Sequence, residues 1–121
     1  MMPILRVWSK LAGDMYKVVS LDWRCGVVTV NNGCAIWDMD FKDVIIMQST
    51  GLKDDFGNEL FEGDIFESRF SGIKYVVYWD DELASFWIKG ETKTHPLYTL
   101  TPFHPRILGN IYENPELLED N

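Results

Sequence analysis

Cysteine is scarce in this chain, with two residues in 121, Cys25 and Cys34, and no Cys-x-x-Cys spacing. That excludes the common zinc and dithiol redox motifs. Histidine is as rare: His95 and His104 each stand before a proline. Two histidines do not make a zinc site without help from cysteine or carboxylate. No serine or cysteine is placed by motif beside either one as a nucleophile partner, and a residue before proline reads first as extended loop. Long apolar runs are missing too. The longest, Val44-Ile45-Ile46-Met47, is far too short to cross a bilayer. The opening Met1–Arg6 has neither a basic lead nor an apolar core, so no secretory signal is expected. Positive charge is the last shortage. Eleven Lys and Arg face nineteen Asp and Glu, for a net charge of −8 and a pI near 4.6. A protein that gains its affinity by neutralising phosphates needs the opposite balance.

What remains is ordinary globular material: 46% hydrophobic and 14% aromatic residues. A chain of this length buries roughly 65% of its unfolded surface and needs neither metal nor disulfide to hold a core. One domain over 1–121 is expected. Reduced thiols with no export signal suit the cytosol.

Short β-prone runs separated by turn residues fill the sequence. Ile4–Trp8, Met15–Leu21, Gly26–Val30, Cys34–Met39, Val44–Ser49, Leu60-Phe61, Ile65–Phe70, Ile73–Trp79, Ser85–Lys89, Leu97–Leu100 and Arg106–Tyr112 read as strands. Asn32-Gly33 reads as a two-residue hairpin turn, which sets Asn31 opposite Cys34 and Cys25 opposite Asp40. On that register the thiols lie too far apart to bridge. Gly109 suggests a bulge in the last strand. Asn114-Pro115 is a helix-start signal for a short C-terminal helix of one or two turns. The pattern predicts an all-β domain, a small barrel or sandwich of short antiparallel strands.

The segment Thr50–Phe66 contains two reversals, Asp54–Asn58 around Gly57 and Glu62-Gly63-Asp64. Glycine is favoured where φ is positive, and Asp and Asn bond their own backbone in turns. Asp80-Asp81-Glu82 sits at a hairpin tip. With His95 it defines the one conceivable metal-dependent site, though a solvated turn explains the same residues. The Asp54–Asp64 stretch does not fit a calcium loop, because Phe56 stands where a carboxylate or amide is required. Aromatics crowd the Ile73–Lys89 hairpin. Tyr75, Val77 and Trp79 share one face, Val76 and Tyr78 the other, and Trp87 opposes Phe86 and Ile88. Tyr75, Tyr78, Trp79 and Trp87 are therefore the candidate binding residues. One face is expected to be core, and the other to be a protein interface or a stacking platform for single-stranded nucleic acid.

Three segments carry a resemblance: Arg6-Val7-Trp8 with Met15; Met47–Asp54 through Gly57 and on to Glu62-Gly63-Asp64-Ile65; and Leu108-Gly109-Asn110-Ile111-Tyr112-Glu113-Asn114-Pro115-Glu116-Leu117-Leu118. Together they resemble the YopX family of small phage and prophage proteins over the whole chain. The resemblance implies an all-β core, a phage or prophage origin and an intracellular setting in a bacterial host. It implies no activity, catalytic residue or cofactor. The residues favour a non-catalytic module that binds itself or a phage or host protein. The alternative is a barrel face that binds nucleic acid, with Arg69, Lys74, Lys89 and Lys93 as its basic contribution and the low pI against it. No cofactor, metal or membrane association is expected.

Overall fold

Where apolar and polar side chains alternate between turn residues the backbone extends, and eleven strands result among the described residues. They are β1 Leu5–Ser9, β2 Asp14–Asp22, β3 Val27–Asn31, β4 Ile36–Asp40, β5 Val44–Lys53, β6 Glu59–Phe61, β7 Asp64–Ser68, β8 Lys74–Asp80, β9 Ser85–Lys89, β10 Thr94–Pro96 and β11 Pro105–Asn110. The structure is a computed structural model that describes residues 4–119. The fold is all-β, as the pattern predicts. A six-stranded antiparallel sheet has the order β4-β3-β2-β1-β5-β6, and a five-stranded one the order β10-β9-β8-β7-β11. Among the described residues the only helical turns are short 3-10 turns, and no helix is long and apolar enough to cross a membrane.

The chain divides into two compact units, Met1–Ser49 and Thr50–Asn121. The first is a meander in which β1 lies between β2 and β5. Val7, Val28, Val30 and Val44 are its buried core, ringed by half-buried Tyr16, Val18, Leu21, Trp37, Met39, Phe41 and Ile46. Tyr16 meets Trp37 edge to face at 4.9 Å. The second unit has a fuller centre of Leu60, Phe66, Tyr75, Val77, Ile88, Leu97 and Leu100. Burying a side chain of this size stabilises by about 1.5–3 kcal/mol each.

The second unit is tied together through its turns. Asp54 is buried, and its carboxylate accepts N–H bonds from Phe56 (2.9 Å) and Asn58 (2.8 Å) on one oxygen, and from the Asn58 amide (3.3 Å) and the Ile107 backbone (3.2 Å) on the other. Asp55 N–H reaches the Pro105 carbonyl at 3.0 Å, so the turn is docked along β11. Gly63, at φ 88, donates to the Val77 carbonyl (2.8 Å) and accepts from Ile111 N–H (2.9 Å). Asp64 accepts from Phe61 N–H at 2.7 Å. Asn110 closes the last turn by accepting from Tyr112 (3.0 Å) and Glu113 (2.9 Å). A Cβ on Gly109 would collide with the Asn114 side chain, and the β11 register shifts between Ile107 and Gly109, where the sequence suggests a bulge.

Three local expectations are corrected. Leu97–Leu100 is no strand: Leu97–Thr99 is a 3-10 turn, with Leu100 N–H bonded to the Leu97 carbonyl at 2.9 Å. The three-residue spacing carries both leucines into the core, which an extended segment would not do. The strand that pairs with β9 at the sheet edge is instead Thr94–Pro96. The short C-terminal helix is there as a single 3-10 turn, Pro115–Leu118, but the Asn114 side chain does not cap it and instead accepts from Asn110 N–H at 3.3 Å. The β3–β4 hairpin pairs Asn31 with Ile36 rather than with Cys34. Asn32 Oδ1 accepts from both Cys34 (2.9 Å) and Ala35 (2.8 Å), and that side chain holds a loop two residues longer than expected, with Asp40 opposite Val27 rather than Cys25. Cys25 and Cys34 are free and exposed, at opposite ends of β3.

Candidate functional site

The aromatic hairpin β8–β9 is registered as Val77 with Ile88, Tyr78 with Trp87, and Trp79 with Phe86. Because side chains alternate along a strand, this divides the four candidate residues between two faces. Tyr75 is 6% exposed, stacks on Phe66 with centroids 5.4 Å apart and takes the edge of Phe103 at 5.2 Å. It belongs to the core. Trp79 is on the same side, half-buried and edge to face with Phe86 at 4.9 Å. Tyr78 and Trp87 project from the other face, directly opposite one another and half-buried like Trp79, with Pro96 on β10 opposite Trp87. The Trp87 indole N–H donates to Ser85 Oγ at 3.0 Å, which holds the ring.

Lys74, Val76 and Lys89 continue this outer face along β8 and β9, since Val76 pairs with Lys89. They line a groove of about 580 Å³ together with Ile73, Leu117 and Leu118 and the acids Glu91 and Glu119. The Lys74 ammonium donates to the Leu117 carbonyl at 3.0 Å and straps the C-terminal turn beside the sheet. The other two cations of the nucleic-acid reading lie elsewhere. Arg69 pairs with Asp55 at 3.2 Å and covers the Phe56 ring at 5.2 Å, and Lys93 is in the loop before β10.

The acidic hairpin tip is a turn. Asp80 Oδ1 accepts from Glu82 (2.9 Å) and Leu83 (3.0 Å), and Ala84 completes the reversal at φ 50. His95 packs between Tyr75 and Phe103. Among the described residues no three of His, Cys, Asp and Glu gather where they could hold a metal ion, so Asp80, Asp81 and His95 form no such cluster. The structure does bring together a set that sequence reasoning missed. Asp55 Oδ2 lies 3.2 Å from both Arg69 Nη1 and His104 Nδ1, with Phe70 edge-on to the His104 ring at 4.6 Å. His104 is in the left-handed region at φ 48. No spacing signal could have linked an aspartate in one turn to a histidine so far along the chain.

Electrostatics sort the acids by role. For Asp54, burial pushes the carboxyl up, but the N–H donors of Asn58, Ile107 and Phe56 outweigh it and hold the group below the usual carboxylate range. Asp22 is lowered by the backbone and thiol bonds of Cys25 and by Arg24 N–H, and in turn raises the Cys25 thiol above its ordinary value. These carboxylates are committed to backbone, not poised to move protons.

The solved structures include one similar along its full length. It is the crystal structure of protein EF1440 from Enterococcus faecalis, 25% identical, covering 98% of this chain and 99% of that chain, with a TM-score of 0.66. No curated protein matches. The family model described as YopX protein matches residues 5–119, so the motif turns around Asp54, Gly63 and Asn110 are those of a family member, and the chain belongs to the YopX family.

Proposed function

We propose that this chain is a non-catalytic accessory module of phage or prophage, working in the cytoplasm of a bacterial host by binding a protein: a second copy of itself, or a phage or host partner. One observation carries the reading. Tyr78 and Trp87 oppose one another on neighbouring strands, partly buried on the face away from Tyr75, Val77 and Ile88. Large amphipathic rings with a fixed geometry are what protein interfaces concentrate. The acidic surplus adds selectivity for partners of basic character. Sedimentation of wild type against Tyr78→Ser/Trp87→Ser tests the self-associating form, and a lysate pull-down with the same pair tests the partner form. A wild type that is monomeric and captures nothing beyond what the double variant captures would end the proposal.

A second reading has an observation of its own. Lys74 and Lys89 share the outer face with Tyr78 and Trp87, and rings interleaved with lysines are how single-stranded nucleic acid is gripped. A gel shift at low salt with single- and double-stranded DNA and RNA decides it. No shift at micromolar protein rejects it, because phosphate contacts are strongest there.

A further inference from the structure

Four strands end the two sheets: β4 and β6 in one, β10 and β11 in the other. Three are blunted in ways that discourage pairing. Strands β6 and β10 have three residues each, β10 ends on Pro96, and β11 starts on Pro105 and carries a bulge. Strand β4, Ile36-Trp37-Asp38-Met39-Asp40, differs. It has five residues in unbroken register with β3, with no proline, glycine or bulge.

The hydrogen-bond phase of β4 follows from the two bonds that frame it. Asn32 N–H reaches the Ala35 carbonyl at 3.2 Å, and Phe41 N–H reaches the Gly26 carbonyl at 2.8 Å. In an antiparallel ladder bonded and non-bonded pairs alternate. The pairs Val30–Trp37 and Val28–Met39 are therefore the bonded ones, and Ile36, Asp38 and Asp40 turn their N–H and C=O groups away from β3. Among the described residues no strand pairs with that side.

The side chains add a sign. Ile36 is 61% exposed, and Asp38 and Asp40 are exposed on the same face. Asp38 accepts from Thr29 Oγ1 at 2.6 Å. Asp22 on β2 lies on this face too, across Val27 from Asp40, and Lys17 lies on it across Asn31 from Ile36. The opposite face of β4 presents half-buried Trp37 and Met39. A second copy of β4 would set aspartate against aspartate, which opposes self-pairing.

We infer that β4 is an acceptor edge for an extended protein segment that alternates lysine or arginine with apolar residues. Its backbone would complete the outward ladder of Ile36, Asp38 and Asp40. Its basic side chains would lie beside Asp38 and Asp40, and its apolar ones beside Trp37 and Met39. This uses none of the residues of the aromatic-face reading, and either can fail while the other stands.

The test uses two labelled, end-blocked hexapeptides as probes, one alternating lysine with valine and one alternating glutamate with valine. Anisotropy titrations of the full chain at low salt should show the lysine peptide at least about tenfold tighter, with the gap narrowing as salt rises. Amide shifts should centre on Ile36, Asp38 and Asp40. Asp38→Lys/Asp40→Lys, on exposed positions, should invert the preference. Asp38→Pro removes one outward donor at a site where an edge tolerates proline, and it should abolish binding where Asp38→Ala only weakens it severalfold. Equal affinity for the two peptides, or a preference that survives the charge reversal, overturns the inference. So does wild-type binding retained by a folded Asp38→Pro protein. Should that variant not fold, the charge reversal decides alone.

Discussion

The turns of the second unit and the strands beside them use polar and apolar groups in opposite ways. In the turns, side chains are consumed: Asp54, Asp64 and Asn110 are buried, and each spends its oxygens on backbone N–H groups. On the β8–β9 hairpin the surplus is apolar, with Tyr78 and Trp87 left over after Tyr75, Val77 and Ile88 have filled the core. Substitution in the turns should therefore cost stability, and substitution on the outer face should cost binding.

The largest effect expected is for Asp54→Ala. It strands the part-buried N–H donors of Phe56, Asn58 and Ile107 and should destabilise by about 3 kcal/mol, read as a fall in the urea midpoint. A loss below about 1 kcal/mol would show that the turn is not what docks β11. Gly109→Ala comes next, at about 2 kcal/mol, because Asn114 must give way. Acid sharpens the same contrast. The Asp54 carboxyl is lowered in the folded state, so its contribution is complete above the unfolded value of about 4 and is lost as pH falls through the folded value. Thermal melts from pH 7 to 3 should fall less steeply for Asp54→Asn than for wild type. On the strands, Trp87→Ser should change stability by less than about 1 kcal/mol while reducing whatever association wild type shows, measured by sedimentation. Asp80→Ala should be the smallest, about 0.5–1 kcal/mol, since exposed donors at the hairpin tip find water.

Period-two patterning made most of the fold legible. The strands around Val7, Val30, Val77 and Ile88 fall where alternation puts them, and the bulge at Gly109 was visible as a glycine in an apolar run. What escaped was decided by side chains acting over short range. Asn32 resets the hairpin loop, Asn114 turns back to Asn110 instead of capping, and Leu97 and Leu100 reach the core by a tight turn. Of the candidate site, Trp87 joins Tyr78 only through the β8–β9 register, whereas the division of Tyr75 and Trp79 from Tyr78 was readable from alternation alone. Which face was core was not, because both are aromatic and only the long-range placement of Phe66 and Phe103 decides it. The Asp55–Arg69–His104 set depends on the same kind of closure.

The two free thiols bracket β3, one just before it and one just beyond. Nature has thus furnished a spectroscopist's ruler: spin labels on Cys25 and Cys34 would straddle the hairpin without a single engineered residue. With Asp22 keeping the Cys25 thiol protonated to higher pH, coupling there calls for mildly alkaline buffer. The inter-label distance would then report directly whether that ribbon stiffens when a guest strand arrives.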